Sequence, residues 1–391
     1  MTDPARAKAA LASMLLAWVA GCAAPPLAAP PLPGPVQFSL LALGDTGLPF
    51  PAAHVISNQY AVAEALVREQ RRSPASTLLL LGDNFYPDGL AADDLIRRIR
   101  SNLVAPYCPF LVLDGPRSGE VRKACPGPAK RADRVVVLAV LGNHDHKTPE
   151  SPALQRHVIP QFISNWHMPE GLAEVFEDPV GVSIILLDSV LIRAGADLTP
   201  FIEALRRSRG PWRVLVTHHP LVDHLTASKR DTRYRERLLS AVAEARVPVH
   251  LLLAGHEHNL QVTALPVPGP RLQVISGSGS RVEEVNATDD DRRFASSRSG
   301  FARIDLVDVD PRPRLVASLF ALPTRPRLPG SPASLLARYS VDRDGRILAE
   351  PGAVAPVGKG RCERNRVIGV RPRGAYPPRC HEARTALSDA H

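Results

Sequence analysis

Leu78-Leu79-Leu80-Leu81-Gly82-Asp83-Asn84-Phe85-Tyr86 sets a short apolar run against a polar turn. The run is too short for a free-standing helix, and glycine closes it, so it reads as a buried strand over 77–81. The same grammar recurs along the chain. A strand over 36–43 ends in Gly44-Asp45-Thr46-Gly47, and one over 135–141 ends in Gly142-Asn143-His144-Asp145. A strand over 212–217 runs into His218-His219-Pro220, and one over 250–253 runs into Gly255-His256-Glu257-His258. A further apolar strand is expected over 182–187. Helical patterns fall between these runs, over 54–70, 91–104, 152–163, 200–207 and 231–245. Alternation of this kind predicts an α/β fold with buried sheets. After His258 the pattern changes: 260–265, 272–276, 301–309 and 315–321 are strand-like with no helix between them, so a more antiparallel section completes the fold. No internal repeat is present.

Five strand ends thus carry Asp, Asn, Tyr or His, and the carboxyl edge of an open α/β sheet is where ligands bind. Glycine precedes the polar residue in four of the five, which allows a sharp turn toward one point. Each motif is weak alone; a lone Gly-Asp turn is usually just a loop. Their recurrence on one class of position points to a shared centre. Two metal ions about 3.5–4 Å apart can share a carboxylate while Asp, Asn and His fill the remaining positions. His256 and His258 are one residue apart, so an extended loop directs both to one side. Oxygen and imidazole donors suit Fe, Mn or Zn better than a thiolate-seeking metal.

In their order, the five motifs resemble those of the calcineurin-like metallophosphoesterases, over Gly44 to His258. The stretches at 82–86, 142–146, 186–190 and 255–261 are similar to the tartrate-resistant purple acid phosphatases within that family. Most members carry a ligand His two residues after the first Asp; here that position is Gly47. Tyr86 stands where the purple acid phosphatases place a tyrosinate. The resemblance implies a four-layer α-β-β-α sandwich of two mixed sheets flanked by helices. It implies Fe(III) on Asp45, Asp83, Tyr86 and His258, and a second ion, Fe(II), Zn or Mn, on Asp83, Asn143, His218 and His256. His218 is chosen over His219 because the family ligand precedes Pro by two. Leu215 stands where the family usually has Val.

The implied activity is that of an acid phosphatase, with a metal-bound hydroxide attacking a small phosphomonoester. His144 would meet the substrate or leaving group, Asp145 would orient His144, and His224 is a further pocket candidate. A phosphodiesterase, or a phosphatase for a lipid or sugar phosphate of the envelope, could use the same site. A binding protein that merely kept the fold is disfavoured, since all seven expected ligands are present. His219 is read as a pocket residue, Asp188 as loop-structuring, and Ser276 to Ser280 as a turn near the site.

The N-terminus carries Arg6 and Lys8, then an apolar segment over 9–20, then Val19-Ala20-Gly21-Cys22. Twelve apolar residues suit a signal peptide and are too few to span a bilayer. The segment resembles a bacterial lipobox, in which Cys22 is acylated after cleavage. The expectation is an exported protein with a signal peptide at 1–21 and a stiff Ala/Pro-rich tether at 22–35. It would be lipid-anchored to the envelope, on the outer membrane facing the periplasm. The phosphoesterase domain is expected over 36–325, with a basic extension over 326–391. Setting Cys22 aside leaves Cys108, Cys125, Cys362 and Cys380, which read as two disulfides in an oxidising compartment. Four cysteines allow three pairings; proximity favours Cys108 with Cys125 and Cys362 with Cys380.

Net charge is +9, and residues 359–391 hold +5 of it, so the basic excess sits largely in the tail. Aromatic content is 5% and no basic run is interleaved with aromatics, so nucleic acid is not an expected partner. With 45% hydrophobic and 22% charged residues, wholesale disorder is excluded.

Overall fold

The computed structural model describes residues 29–48, 58–125, 135–222, 231–285, 292–323 and 332–350. The strands in chain order are β1 (Val36–Leu43), β2 (Thr77–Leu80), β3 (Val136–Ala139), β4 (Trp166–His167), β5 (Ala173–Asp178), β6 (Val182–Leu187), β7 (Trp212–Val216) and β8 (Leu251–Ala254). They continue with β9 (Leu260–Ala264), β10 (Leu272–Ser276), β11 (Arg292–Ser296), β12 (Gly300–Val307), β13 (Arg314–Ala321), β14 (Ser334–Asp342) and β15 (Ile347–Ala349). One sheet has the order β15-β14-β13-β12-β1-β2-β3-β4, and the other β11-β9-β10-β8-β7-β6-β5.

Strand sequences explain the layering. Along β1, Leu41 and Leu43 join one core while Leu40 and Ala42 join another. In β2, Leu78 and Leu80 take the first core and Leu79 takes the second, joined by Leu81 just beyond the strand. The second sheet does likewise: Ile184, Val214 and Leu253 face the shared core, whereas Ile185, Leu215 and Leu252 face a third. Side chains alternate across a strand, so only a strand covered on both faces reads as continuous hydrophobe. The shared core lies between the sheets. The outer cores lie under the helix Asn58–Arg72 on one side, and under Thr199–Arg207 and Thr232–Ala245 on the other. This is the expected four-layer α-β-β-α sandwich.

β1, β2 and β3 are parallel neighbours, as are β6, β7 and β8. Beyond His258 the antiparallel strands complete both sheets. The first sheet extends past residue 325, because β14 pairs with β13 along most of its length and β15 pairs with β14. The expected boundary there is therefore misplaced. The Arg- and Pro-rich composition hid β14, whose Arg338 is buried and donates to Ser318 Oγ and to the Pro30 carbonyl. The helix expected over 91–104 is an irregular helical run, with a wider turn at Ile99–Val104 between Leu95–Arg98 and Ala105–Tyr107. Cys108 and Cys125 are joined by a disulfide with a Cα–Cα distance of 5.3 Å. Cys22, Cys362, Cys380 and His224 lie outside the described residues. Among those described, no helix is long and apolar enough to cross a membrane.

Candidate metal centre

The ends of β1, β2, β3, β7 and β8 meet at one place, and the backbone ties them there. Asp45 N donates to Gly82 O at 2.9 Å, Gly47 N to Asp83 O at 3.1 Å, and Tyr86 N to Gly47 O at 2.8 Å. Within the second sheet, Gly255 N donates to His218 O at 3.0 Å, and between the sheets His256 N donates to the Asp45 carboxylate at 2.9 Å.

Among the described residues four non-glycine residues have positive φ, and three of them are expected ligands: Asp45 at 58°, Asp83 at 52° and His256 at 68°. A side chain in that region is disfavoured and persists only where its surroundings impose it, commonly at functional sites. The glycines therefore act differently from the sequence expectation. Gly82 does take a positive φ, 89°. Gly142 is required for space: a Cβ there would lie 2.2 Å from Asp83 Oδ1 and 2.3 Å from Asp83 N.

The seven expected ligands form two groups linked by Asp83. In the first, the Tyr86 hydroxyl donates to Asp45 Oδ1 at 2.9 Å and lies 3.1 Å from His258 Nε2, itself 3.4 Å from Asp45 Oδ1. In the second, Asn143 Oδ1 lies 3.1 Å from His218 Nε2 and 3.0 Å from His256 Nδ1. Asp83 interacts with the Tyr86 hydroxyl on one side and reaches His218 Nε2 at 3.5 Å on the other.

The donor chemistry fits cations. His218 Nδ1 is 2.9 Å from the Leu81 carbonyl, which can only accept, so that nitrogen carries the proton. In the neutral ring Nε2 is then a bare lone pair, and it faces two oxygen acceptors, on Asn143 and Asp83. Acceptors that converge on one another without a proton between them are the arrangement a metal ion relieves. The surrounding charge likewise favours a positive charge here. Burial disfavours charge on His218, yet Asp83 and Asp45 outweigh it and raise its pKa. Burial, then His218, push His256 down to about 3, which keeps its imidazole neutral. Burial and then Asp45 and Asp83 raise the Tyr86 phenol, so its ionisation calls for neighbouring positive charge.

The remaining expected residues separate. His144 lies at the mouth, its ring 4.4 Å from that of Tyr86 and its amide donating to Asp83 Oδ1 at 2.8 Å. Its Nδ1 contacts the Pro87 carbonyl and lies 2.9 Å from Lys147 Nζ, which leaves Nε2 as the other ring nitrogen. Asp145 does not orient that ring. Its carboxylate is fully buried and accepts from the amides of Gly142 (2.9 Å), Asn84 (3.1 Å) and Phe85 (3.1 Å) and from Gln155 Nε2 (2.9 Å). It holds the β2 and β3 loops together, and burial and Asp83 raise it to about 6. Asp188 caps the helix Ser189–Arg193 and pairs with His146 at 2.9 Å and Arg156 at 3.4 Å. His219, buried, shares a hydrogen bond with Ser189 Oγ at 2.9 Å and packs its ring 4.4 Å from that of His256.

One supporting residue escaped the sequence reading. Glu283 Oε1 lies 3.1 Å from His258 Nδ1 and, with Asp45, overcomes the effect of burial to raise His258 to about 10. Nothing in a surface-type Val-Glu-Glu-Val stretch marks one glutamate as a histidine partner.

The fold is shared with known proteins. Among solved structures, similar folds include GAP50, the anchor in the inner membrane complex of Plasmodium, with TM-score 0.51, 15% identity and coverage of 73% of this chain and 85% of that one. They also include a purple acid phosphatase from yellow lupin (Lupinus luteus) seeds, with TM-score 0.52, 14% identity and coverage of 74% and 52%. PhoD has TM-score 0.51 and 14% identity, with coverage of 83% and 74%. The chain thus spans about half the length of the lupin enzyme. A search of the curated proteins returned no match. The calcineurin-like phosphoesterase profile matches residues 38–260, which hold all seven residues of the centre. With more than half of its length matched and the ligand set converged, the chain belongs to the calcineurin-like phosphoesterase family.

Proposed function

We propose that the chain is a dinuclear-metal acid phosphatase acting on small phosphomonoesters, of the purple acid phosphatase type. The observation that carries this reading is the two-group donor set joined by Asp83, with Tyr86 completing the first group. Asp45, Asp83, Tyr86 and His258 would hold Fe(III), and Asp83, Asn143, His218 and His256 would hold Fe(II), Zn or Mn. Phenolate is a hard anionic ligand, which favours Fe(III) over softer ions. Bound there, the ions would supply charge neutralisation at the phosphoryl group and acidify a water.

The chain's own groups do the rest. His144, anchored through its amide to Asp83, would serve through Nε2 as proton donor to the departing oxygen. His224 is a second candidate for that task. Asp145 keeps the loops carrying Asn84, Phe85 and Gly142 in register. Purified metal-replete protein should hydrolyse p-nitrophenyl phosphate at mildly acidic pH and lose the activity to a chelator. Absence of turnover on every phosphoester would refute the reading.

Export and acylation at Cys22 belong to the same proposal, supported by the apolar segment over 9–20 and the Val19-Ala20-Gly21-Cys22 sequence. Labelling with a fatty-acid analogue that persists in a Cys22→Ala chain would overturn it.

A further inference from the structure

The loop that follows β10 packs directly on the centre. Gly44 N donates to Ser276 O at 2.8 Å and Gly279 N to Gly44 O at 3.2 Å, while Ser280 Oγ donates to the Asp45 carbonyl. Gly277 and Gly279 leave no room for a side chain: a Cβ would lie 2.8 Å from Asp45 Oδ2 at the first and 2.5 Å from Gly44 O at the second. The next residue is Arg281. Its guanidinium carbon lies 5.2 Å from the centre of the Tyr86 ring, the ring that His144 also flanks. Two residues on, Glu283 anchors the segment again, through its ion pair with His258 and its amide, which donates to His258 O at 2.8 Å.

Arg281 is therefore a cation held at the mouth by fixed points on both sides. It is exposed, and among the described residues its guanidinium makes no hydrogen bond or ion pair. Glu283, the acid beside it, is engaged by His258. Lys147, a second cation there, is already placed against His144 and the Pro87 carbonyl, with Asp88 3.5 Å away.

We infer that Arg281 selects substrates with a terminal, dianionic phosphate. A phosphomonoester keeps three non-bridging oxygens and up to two negative charges; a diester keeps two oxygens and one charge. A planar guanidinium presents two parallel donors matched to phosphate oxygens, so it rewards the extra oxygen and charge of the monoester. The inference rests on the phosphatase reading and names its substrate class.

The test compares the metal-replete full chain with Arg281→Met and Arg281→Lys. Charge-assisted hydrogen bonds of this kind correspond to about a 10- to 100-fold effect. Arg281→Met should lower kcat/KM for p-nitrophenyl phosphate by that factor and leave bis(p-nitrophenyl) phosphate nearly unchanged. Arg281→Lys should recover part of the loss. Binding of inorganic phosphate to the metal-loaded protein, measured by calorimetry, should weaken in parallel in Arg281→Met. An unchanged monoester-to-diester ratio, or an equal fall in both, overturns the inference while leaving the phosphatase reading intact. If the wild-type chain hydrolyses neither ester, the phosphatase reading falls instead. Calorimetry then decides on Arg281 alone: weakened phosphate binding supports its role, and unchanged binding overturns it.

Discussion

Gly142→Ala is the smallest substitution that should dismantle the centre. A methyl at this position would lie 2.2 Å from Asp83 Oδ1 and 2.3 Å from Asp83 N, whereas ordinary contact begins near 3.4 Å. Moving from 2.2 to 3.4 Å requires Asp83 to retreat by about 1.2 Å. Rotation of the carboxylate cannot relieve the clash with its own amide nitrogen, and β2 is pinned between β1 and β3. Overpacking of this kind costs about 1–3 kcal/mol. A displacement of about 1 Å in a group that positions the reaction lowers turnover by about 10²-fold. Urea unfolding, metal content and kcat/KM would be measured side by side for Gly142→Ala and for Gly119→Ala. A Cβ at Gly119 meets nothing within 4 Å, so that control should stay within about 1 kcal/mol of wild type. A Gly142→Ala protein with wild-type stability, full metal content and full turnover would refute the geometry of the centre.

Other expectations follow from particular contacts. Asp145→Asn replaces one acceptor oxygen with an amino group that faces donors from the β2 and β3 loops. It should destabilise the fold by about 1–3 kcal/mol in denaturant titration, and an unchanged midpoint would argue against the scaffold role. Glu283→Gln removes the charged partner of His258 and should weaken metal affinity by about 10- to 100-fold; competition with a chelator reads this, and equal affinity would deny Glu283 that role. Cys108→Ser opens a disulfide that spans 17 residues and should cost about 2–4 kcal/mol, measured against wild type under non-reducing conditions.

Much of the architecture was legible because strands covered on both faces must be apolar throughout. The runs at 36–43, 182–187 and 272–276 coincide with β1, β6 and β10. The candidate ligands were legible because they sit just after such runs, where chain direction alone brings them to one edge. The strands that escaped notice lie at or near the margins. Every residue of β5 is only partly buried, and β4 spans two residues, so neither carries a continuous apolar signal. β14 holds Arg338 and Tyr339 among its buried residues: Arg338 donates to Ser318 Oγ on the neighbouring strand, and Tyr339 packs in the core between the sheets with its hydroxyl donating to the Arg293 carbonyl of β11.

At the centre, sequence reading placed each candidate ligand on a strand end but misjudged how neighbours act. Asp145 follows His144 directly, yet its carboxylate turns to the amides of Gly142, Asn84 and Phe85, because those buried donors had no other acceptor. Glycine was expected to turn the chain. At Asp45, Asp83 and His256 the candidate ligand itself takes the positive φ, with Gly82 joining it before Asp83, while Gly142 leaves room. Arg281 and Glu283 are brought to the mouth by the β10 loop, a long-range relation that no local spacing encodes.

In the proposed centre Tyr86 ligates one of two metal ions held by the same seven residues. Metal analysis joined to a visible absorption spectrum, on wild type and Tyr86→Phe, tests it most directly. Wild type should hold two ions per chain and show a visible band that Tyr86→Phe abolishes. A metal-replete wild type without such a band, a band indifferent to Tyr86→Phe, or a chain that binds no iron, zinc or manganese would contradict it.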